Sequence, residues 1–362
     1  MSLRGAPRRP GPPTRDRPMT LSDALSAERS MQAIGVDGEG DEARLVVEDA
    51  HRPTVAPGQV LVRVAAASVN RPDVQQRRGL YPPPPGASPR LGLDIAGTVV
   101  AAADDVAWPR PGDRVCALAN GGGYAEYCLA PAGQCLPIPA GLDLVEASSL
   151  PEAFFTAWNA LMILGRIESG EGLLIQGGAS GVGLAAIQLA AHLRNAKIVA
   201  TASSEEKRAA CLAAGATYVL DYRDPDWPDQ VRTLLPGGFD VIVDAQAGPT
   251  TAGLLDLLAE GGRLVLLSSH AGRTGEIDTR SIVRRRQTLT GATLRPRTPE
   301  FKAELASALR THVWPLIEQG QVGTRICATF PLDRAADAHA LMDANQQIGK
   351  VVLIVDPGQL AP

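Results

Sequence analysis

Between Leu173 and Ala190 the chain reads LLIQGGASGVGLAAIQLA. An apolar run, Leu173, Leu174 and Ile175, enters a turn of small residues that includes Gly177, Ser180 and Gly183. Leu184, Ile187 and Leu189 follow at helical spacing. Strand, glycine turn and helix in that order open a dinucleotide-binding βαβ unit. Small residues let the backbone approach a pyrophosphate, and the first N–H groups of the helix face its oxygens along a favourable dipole. The spacing departs from G-x-G-x-x-G, with Gly181 and Val182 between Ser180 and Gly183. The turn alone therefore also fits an ordinary tight βα connection. The next βα turn, Thr201 to Lys207, sharpens the reading. A site for NAD normally ends this strand with an acid that accepts from both ribose hydroxyls. Here Ser203 and Ser204 stand in its place, and Lys207 offers a point charge to a 2′-phosphate. Ser204 also reads as the N-cap of the helix that follows. The expected cofactor is NADPH.

The elements that must position this turn fall into two patterns. Gln59 to Ala66 alternates apolar and polar residues, and Ala96–Ala103, Arg114–Leu118 and Tyr124–Leu129 are further short strands between glycines and prolines. That spacing predicts an all-β, barrel-like first part. Glu146 to Leu164 then reads as one long helix. Past the glycine turn, strands at 198–200, 218–220, 240–244 and 263–267 alternate with helices at 204–214 and near 250–258, which predicts a parallel sheet covered on both faces. From about Pro299, two helical segments and a last strand, Val351–Val355, return to the first domain. The expected class is α/β, with the first domain at 31–151 and 298–362 and the nucleotide domain at 152–297. Residues 1–30, in which arginine and proline alternate, cannot bury a core and are expected to be a disordered extension.

Composition bounds the function. The 362 residues carry a net charge of −4, which gives no electrostatic case for nucleic acid or an anionic membrane. No apolar run is long enough to cross a bilayer. Five cysteines without a C-x-x-C pair read as reduced thiols of a cytoplasmic protein.

QGGASGVG together with ATASSEEKRAACLAAGATYVLDYRD resembles the quinone oxidoreductases, the zinc-independent, zeta-crystallin-like family of the medium-chain dehydrogenase/reductase superfamily. AASVNRPDVQQRRGLYPPPPGASPRLGLDIAG is most similar to the tumour-suppressor-induced subgroup, and NQQIGKVVLIV fits as well. The resemblance covers Met31 to Val355. It implies a GroES-like β domain interrupted by a doubly wound Rossmann domain, and a two-fold homodimer formed through the Rossmann sheet. The apolar strand Arg263–Leu267, read as the last of that sheet, would offer the pairing edge. The resemblance further implies that Tyr222 lies by the 2′-phosphate, that Lys350 reaches the pyrophosphate from the other domain, and that Ala245, Gln246 and the loop Ser268–Ala271 border the nicotinamide. One departure matters. Zinc alcohol dehydrogenases carry a Cys and a Gly-His-Glu where this chain has Asn70 and Gly92-Leu93-Asp94, and the third ligand position falls near Glu152. Leucine cannot bind zinc and asparagine binds it poorly, so no metal is expected.

Without a Lewis acid, the acceptor must take hydride readily, as a quinone or an alkene conjugated to a carbonyl does. Asn70, Asp73, Gln76 and Tyr81 are the pocket candidates. Asn70 can donate to a developing oxyanion, and Tyr81 can stack on a flat ring or give a proton. Asp73 and Arg77, one helical turn apart, also read as a structural ion pair. His270 reads as a solvated loop residue. The main expectation is an NADPH:quinone oxidoreductase. An enal, enone or enoyl-thioester reductase, and a non-catalytic NADPH-binding structural or sensor protein, stand beside it.

Overall fold

The computed structural model describes residues 30–360. The expected disordered extension lies outside them, except for Ser30. The first element is a hairpin of β1 (Ser30–Asp37) and β2 (Arg44–His51) that the sequence pattern did not reveal. Five strands follow: β3 (Gln59–Val69), β4 (Asp94–Ala102), β5 (Arg114–Leu118), β6 (Tyr127–Pro131) and β7 (Cys135–Pro137). The nucleotide domain supplies β8 (Gly172–Ile175), β9 (Lys197–Thr201), β10 (Tyr218–Leu220), β11 (Phe239–Asp244), β12 (Leu258–Leu266) and β13 (Thr288–Gly291). β14 (Ile326–Pro331) and β15 (Lys350–Ile354) close the chain.

Beside the two-stranded β1–β2 sheet, two larger sheets result, in the α/β class expected. One runs β14-β15-β3-β4-β5-β7, with β6 also paired to β3, so the chain's C-terminal part does return to the first domain. Val351–Ile354 pair antiparallel with Ala66–Val69. The other runs β10-β9-β8-β11-β12-β13, parallel throughout, and is the doubly wound Rossmann sheet. β8 and the middle of β11, Val241–Val243, the central strands, are apolar and buried, as strands covered on both faces must be.

Three local expectations need correction. The single helix over Glu146–Leu164 is three pieces: Leu144–Ser148, Pro151–Trp158 and a wider π turn over Asn159–Leu164. Pro151 lacks the N–H that a continuous helix would use, and so begins a new one. Three helices, not two, follow Pro299: Pro299–His312, Trp314–Glu318 and Ala335–Asp343. Arg263–Leu267 is not an edge either. Its residues Arg263–Leu266 pair with Thr288–Gly291, so β13 is the edge strand. Thr-Leu-Thr-Gly is too short and too polar to stand out as a strand.

No helix among the described residues is long and apolar enough to cross a membrane. Cys116, Cys128, Cys135 and Cys211 are free and buried, and Cys327 is free and exposed.

Candidate active site between the two sheets

The phosphate turn is built as its residue types require. Gly177 adopts φ +74°, a left-handed conformation that glycine alone takes freely. A Cβ on Gly183 would lie 2.5 Å from the Gly177 carbonyl and 2.6 Å from that of Gly178. Only glycine lets the helix Gly181–Arg194 start this close to β8. Ser180 caps that helix by accepting from Gly183 N at 3.0 Å, and Val182 is its second residue. The uncapped N–H groups and the dipole of this helix fit a pyrophosphate.

At the end of β9, Ser203 and Ser204 are partly exposed, and no acid precedes the helix Glu205–Ala213. Ser204 does serve as N-cap, accepting from Lys207 N at 3.3 Å. Lys207 departs from expectation. Its side chain is 8% exposed and its ammonium donates to the Asn345 carbonyl at 2.5 Å. Asn345 ends the helix Ala335–Asp343 in a left-handed turn at φ +51°, so its carbonyl lies beyond the helix and needs a donor. Lys207 therefore ties the two domains together, and burial lowers its pKa. Tyr222 is exposed beside Asp221, whose carboxylate binds Arg208 and Arg223. Asp244 holds the turn after β11 by accepting from Gln246 N and Ala247 N, both at 2.8 Å. Gln246 O in turn accepts from Ala271 N at 2.7 Å, which binds the Ala245–Gln246 turn to the Ser268–Ala271 loop. His270 is not merely solvated. Its Nδ1 lies 3.2 Å from Gln75 Nε2 across the cleft and 3.5 Å from Ser268 Oγ.

The other wall of the cleft comes from the helix Arg71–Arg77 and the loop after it. Asn70 caps that helix and is 7% exposed. Asp73, placed by expectation in the pocket, lies beneath it with no exposed surface. One of its oxygens accepts from Asn70 N at 2.8 Å and the other from Gly92 N at 2.9 Å. It positions Asn70 and Gly92. It does not pair with Arg77, which reaches Asp343 at 3.0 Å instead. Burial raises its pKa to about 6 against the pull of those two N–H groups. Gln76 donates to Pro89 O and accepts from Arg295. Tyr81 is partly buried, with the Arg295 guanidinium 5.6 Å from its ring centroid, and burial raises its pKa.

Lys350 is the second departure. Its stem does lie on the phosphate turn, where a Cβ on Gly181 would come 2.5 Å from Lys350 Cδ. Its ammonium turns away from the pyrophosphate side, to Asn70 Oδ1 at 2.6 Å and Asp94 Oδ2 at 2.7 Å. Asp94 has no exposed surface, and a carboxylate there requires a counter-charge. Ser68 Oγ and Asn70 Nδ2 also donate to Asp94 Oδ2, at 2.7 and 3.1 Å, and Glu152 N donates to Oδ1. The Glu152 carboxyl is pushed up to about 8, first by burial and next by the charge of Asp94. It lines a small recess with Leu93, Asn120, Arg295 and Lys302. Sequence reasoning named Glu152 only as a former ligand position and did not single out Asn120, Arg295 or Lys302. A lysine in a line of only four along the chain was the available signal for Lys302.

Family models agree with this architecture. Residues 56–140 match an alcohol dehydrogenase GroES-like domain, and residues 181–310 match a zinc-binding dehydrogenase. The chain is 32% identical to a rat (Rattus norvegicus) quinone oxidoreductase over 91% of its own length and 99% of the relative's. It is 30% identical to the rat synaptic vesicle membrane protein VAT-1 homolog over 88% of this chain and 82% of the relative. A mycobacterial protein solved with NADPH superposes with a TM-score of 0.79 at 29% identity, covering 90% of this chain and all of that one (100%). An NAD-dependent alcohol dehydrogenase gives 0.78 at 30%, covering 90% and 99%. The zinc that the second family description implies does not fit the residues present. Leu93 has no donor atom, and Asn70 Oδ1 and Asp94 Oδ2 are both committed to the Lys350 ammonium. A GroES-like domain returning around a Rossmann sheet, with relatives at this identity over nearly its whole length, places the chain in the medium-chain dehydrogenase/reductase superfamily of oxidoreductases.

Proposed function

We propose that the protein is an NADPH-dependent quinone oxidoreductase that passes hydride to its acceptor without a metal. The observation that carries this reading is the Asn70–Lys350–Asp94 network beside Leu93. An amide and a buried ammonium stand where zinc members hold a Lewis acid, and these groups hydrogen-bond rather than coordinate. A quinone suits such a site, because taking up hydride makes its ring aromatic. The identity to a quinone oxidoreductase supports this acceptor. The neighbour solved with NADPH supports the cofactor, as do Ser203, Ser204 and Tyr222 in place of a ribose-binding acid.

When bound, NADPH supplies the hydride from its nicotinamide ring. The helix Gly181–Arg194, with Gly177, Ser180, Val182 and Gly183, would hold the pyrophosphate. Ala245, Gln246 and Ser268 would border the nicotinamide. Lys350 would offer its remaining N–H to a developing oxyanion, and Asn70, whose amide donates to the Ser68 carbonyl and Asp94, would hold that ammonium in place through its Oδ1. Tyr81 would pack on a flat acceptor. Asp73 fixes Asn70 from below.

Glu152 favours a second reading, reduction of an activated alkene. Its carboxyl holds a proton at neutral pH, and an enolate formed in the cleft needs a proton on carbon, whereas a quinol takes its proton from water. The purified protein with NADPH, before and after prolonged chelation, should be assayed on a panel of quinones and enals. Steady oxidation of NADPH by a quinone, unchanged by chelation, is expected. Faster turnover of an enal than of every quinone selects the second reading. Turnover of neither leaves a non-catalytic NADPH-binding protein.

A further inference from the structure

Arg295 and Lys302 are two buried cations in the cleft that the proposed reaction does not use. Arg295 is 6% exposed and Lys302 1% exposed. The hydrogen bonds of both go to neutral oxygens. Lys302 Nζ donates to Asn120 Oδ1 at 2.6 Å and to the Arg295 carbonyl at 3.1 Å. Arg295 donates to Gln76 Oε1 at 2.6 Å and to the Asn120 carbonyl at 2.9 Å, and its Nε has no partner. Gly121, at φ +122°, keeps room for it, since a Cβ there would stand 3.0 Å from Arg295 Nη2.

The acids nearby do not balance this pair. Asp94 is taken by Lys350, Ser68 and Asn70. Asp73 spends both oxygens on backbone N–H groups. Glu152, whose charge reaches both cations across the recess, hydrogen-bonds to neither of them, and burial pushes its carboxyl up to about 8, toward the neutral form. Burial of an ammonium without an anion is costly, and it draws Lys302 down to about 8, where the group is still mainly charged at neutral pH. Both cations line the same recess as Leu93 and Glu152, and the guanidinium sits at the Tyr81 ring.

We propose that Arg295 and Lys302 form an anion-binding end of the acceptor pocket, and that the acceptor carries an acidic group, a carboxylate or its equivalent, on its flat ring. This rests on the reading of the cleft as the acceptor site. A planar acceptor packed on Tyr81 presents one edge to Arg295. The guanidinium fork recognises a carboxylate or sulfonate there, and Lys302 adds charge behind it. The pair thereby selects among quinones or enones of equal reactivity by their charge.

The test compares 1,2-naphthoquinone-4-sulfonate with 1,2-naphthoquinone in the wild type, Arg295→Met and Lys302→Met. Intrinsic reactivity of the two quinones is the same for every protein, so the ratio of their kcat/KM values isolates the charge contact. That ratio should fall about tenfold or more in Arg295→Met, and in the same direction in Lys302→Met, as expected for loss of a charged hydrogen bond. An unchanged ratio in folded variants overturns the proposal. A second arm needs no variant and no turnover. Calorimetry on the NADPH-saturated wild type should show 2-naphthoate binding at least about tenfold tighter than 2-naphthamide. Equal affinities overturn the proposal. Tight naphthoate binding by a protein that reduces no quinone sinks the quinone reading and leaves the anion site standing.

Discussion

At the scale of single residues, the site is a set of buried charges whose partners decide their chemistry. Glu152 allows a prediction with a definite sign. Its carboxyl is raised from an ordinary 4.5 to about 8, so the folded state binds more protons than the unfolded chain between those values. Its contribution to stability is therefore full below about pH 4.5 and is lost as pH rises through about 8. Glu152→Gln should remove that fall, and urea unfolding across the window, wild type against variant, measures it. Parallel curves would mean that the carboxyl is not held protonated. Lys350→Met leaves Asp94 buried without a counter-charge and should cost about 3–5 kcal/mol, read by the same method. Adding Asp94→Leu to it should restore much of the loss, because no charge is then left unpaired. Tyr81→Phe should lower turnover about tenfold to a hundredfold if the hydroxyl gives a proton. Tyr81→Ala should raise the acceptor KM and leave that of NADPH in place.

At the scale of elements, the phosphate turn is held by close packing together with the bonds of Ser180, whose hydroxyl accepts from Gly183 N and donates to the Gly177 carbonyl. Gly183→Ala would drive a methyl group into two carbonyl oxygens at 2.5 and 2.6 Å, so strand and helix must part. Loss of NADPH binding in titrations of nicotinamide fluorescence is the expected result, with the fold retained by circular dichroism. The turn after β9 is the expected determinant of cofactor choice. Ser203→Asp places an acid where the 2′-phosphate is expected and should shift the NADPH to NADH preference toward NADH by at least about tenfold, through like-charge repulsion. An unchanged preference would move the 2′-phosphate away from this turn. Lys207 is a poorer probe than its place in the sequence suggests, because its ammonium already serves the Asn345 carbonyl.

At the scale of the whole molecule, the two sheets are joined through short contacts at the cleft: Lys207 to Asn345, Gly349 N to the Ala179 carbonyl at 2.9 Å, and Gln75 to His270. The Rossmann sheet ends in β13, whose outer side has no strand partner among the described residues. A homodimer pairing these edges is the expected assembly. Light scattering at micromolar concentration should give twice the chain mass. A wild-type monomer would rule this pairing out.

What the sequence determined by itself is whatever short-range patterns encode. The glycine turn, each strand and helix of the alternation and the N-cap at Ser204 are each read from a stretch of a few residues, and the missing metal donors at Leu93 and Asn70 from the resemblance of such stretches. Periodicity and propensity act over the same range. Only the tertiary structure decided where long side chains end. Lys350 lies 256 positions from Asp94 and Lys207 138 from Asn345, and no local pattern announces either pair. Asp73 was legible as a pocket residue or as a partner of Arg77, but not as the buried support of Gly92 from another loop. The edge strand was misjudged because β13 has little apolar character of its own and pairs only where β12 offers a ladder. Burial and pairing of charge are properties of the assembled cleft, and so the chemistry of Glu152, Arg295 and Lys302 became visible only when residues from three parts of the chain met.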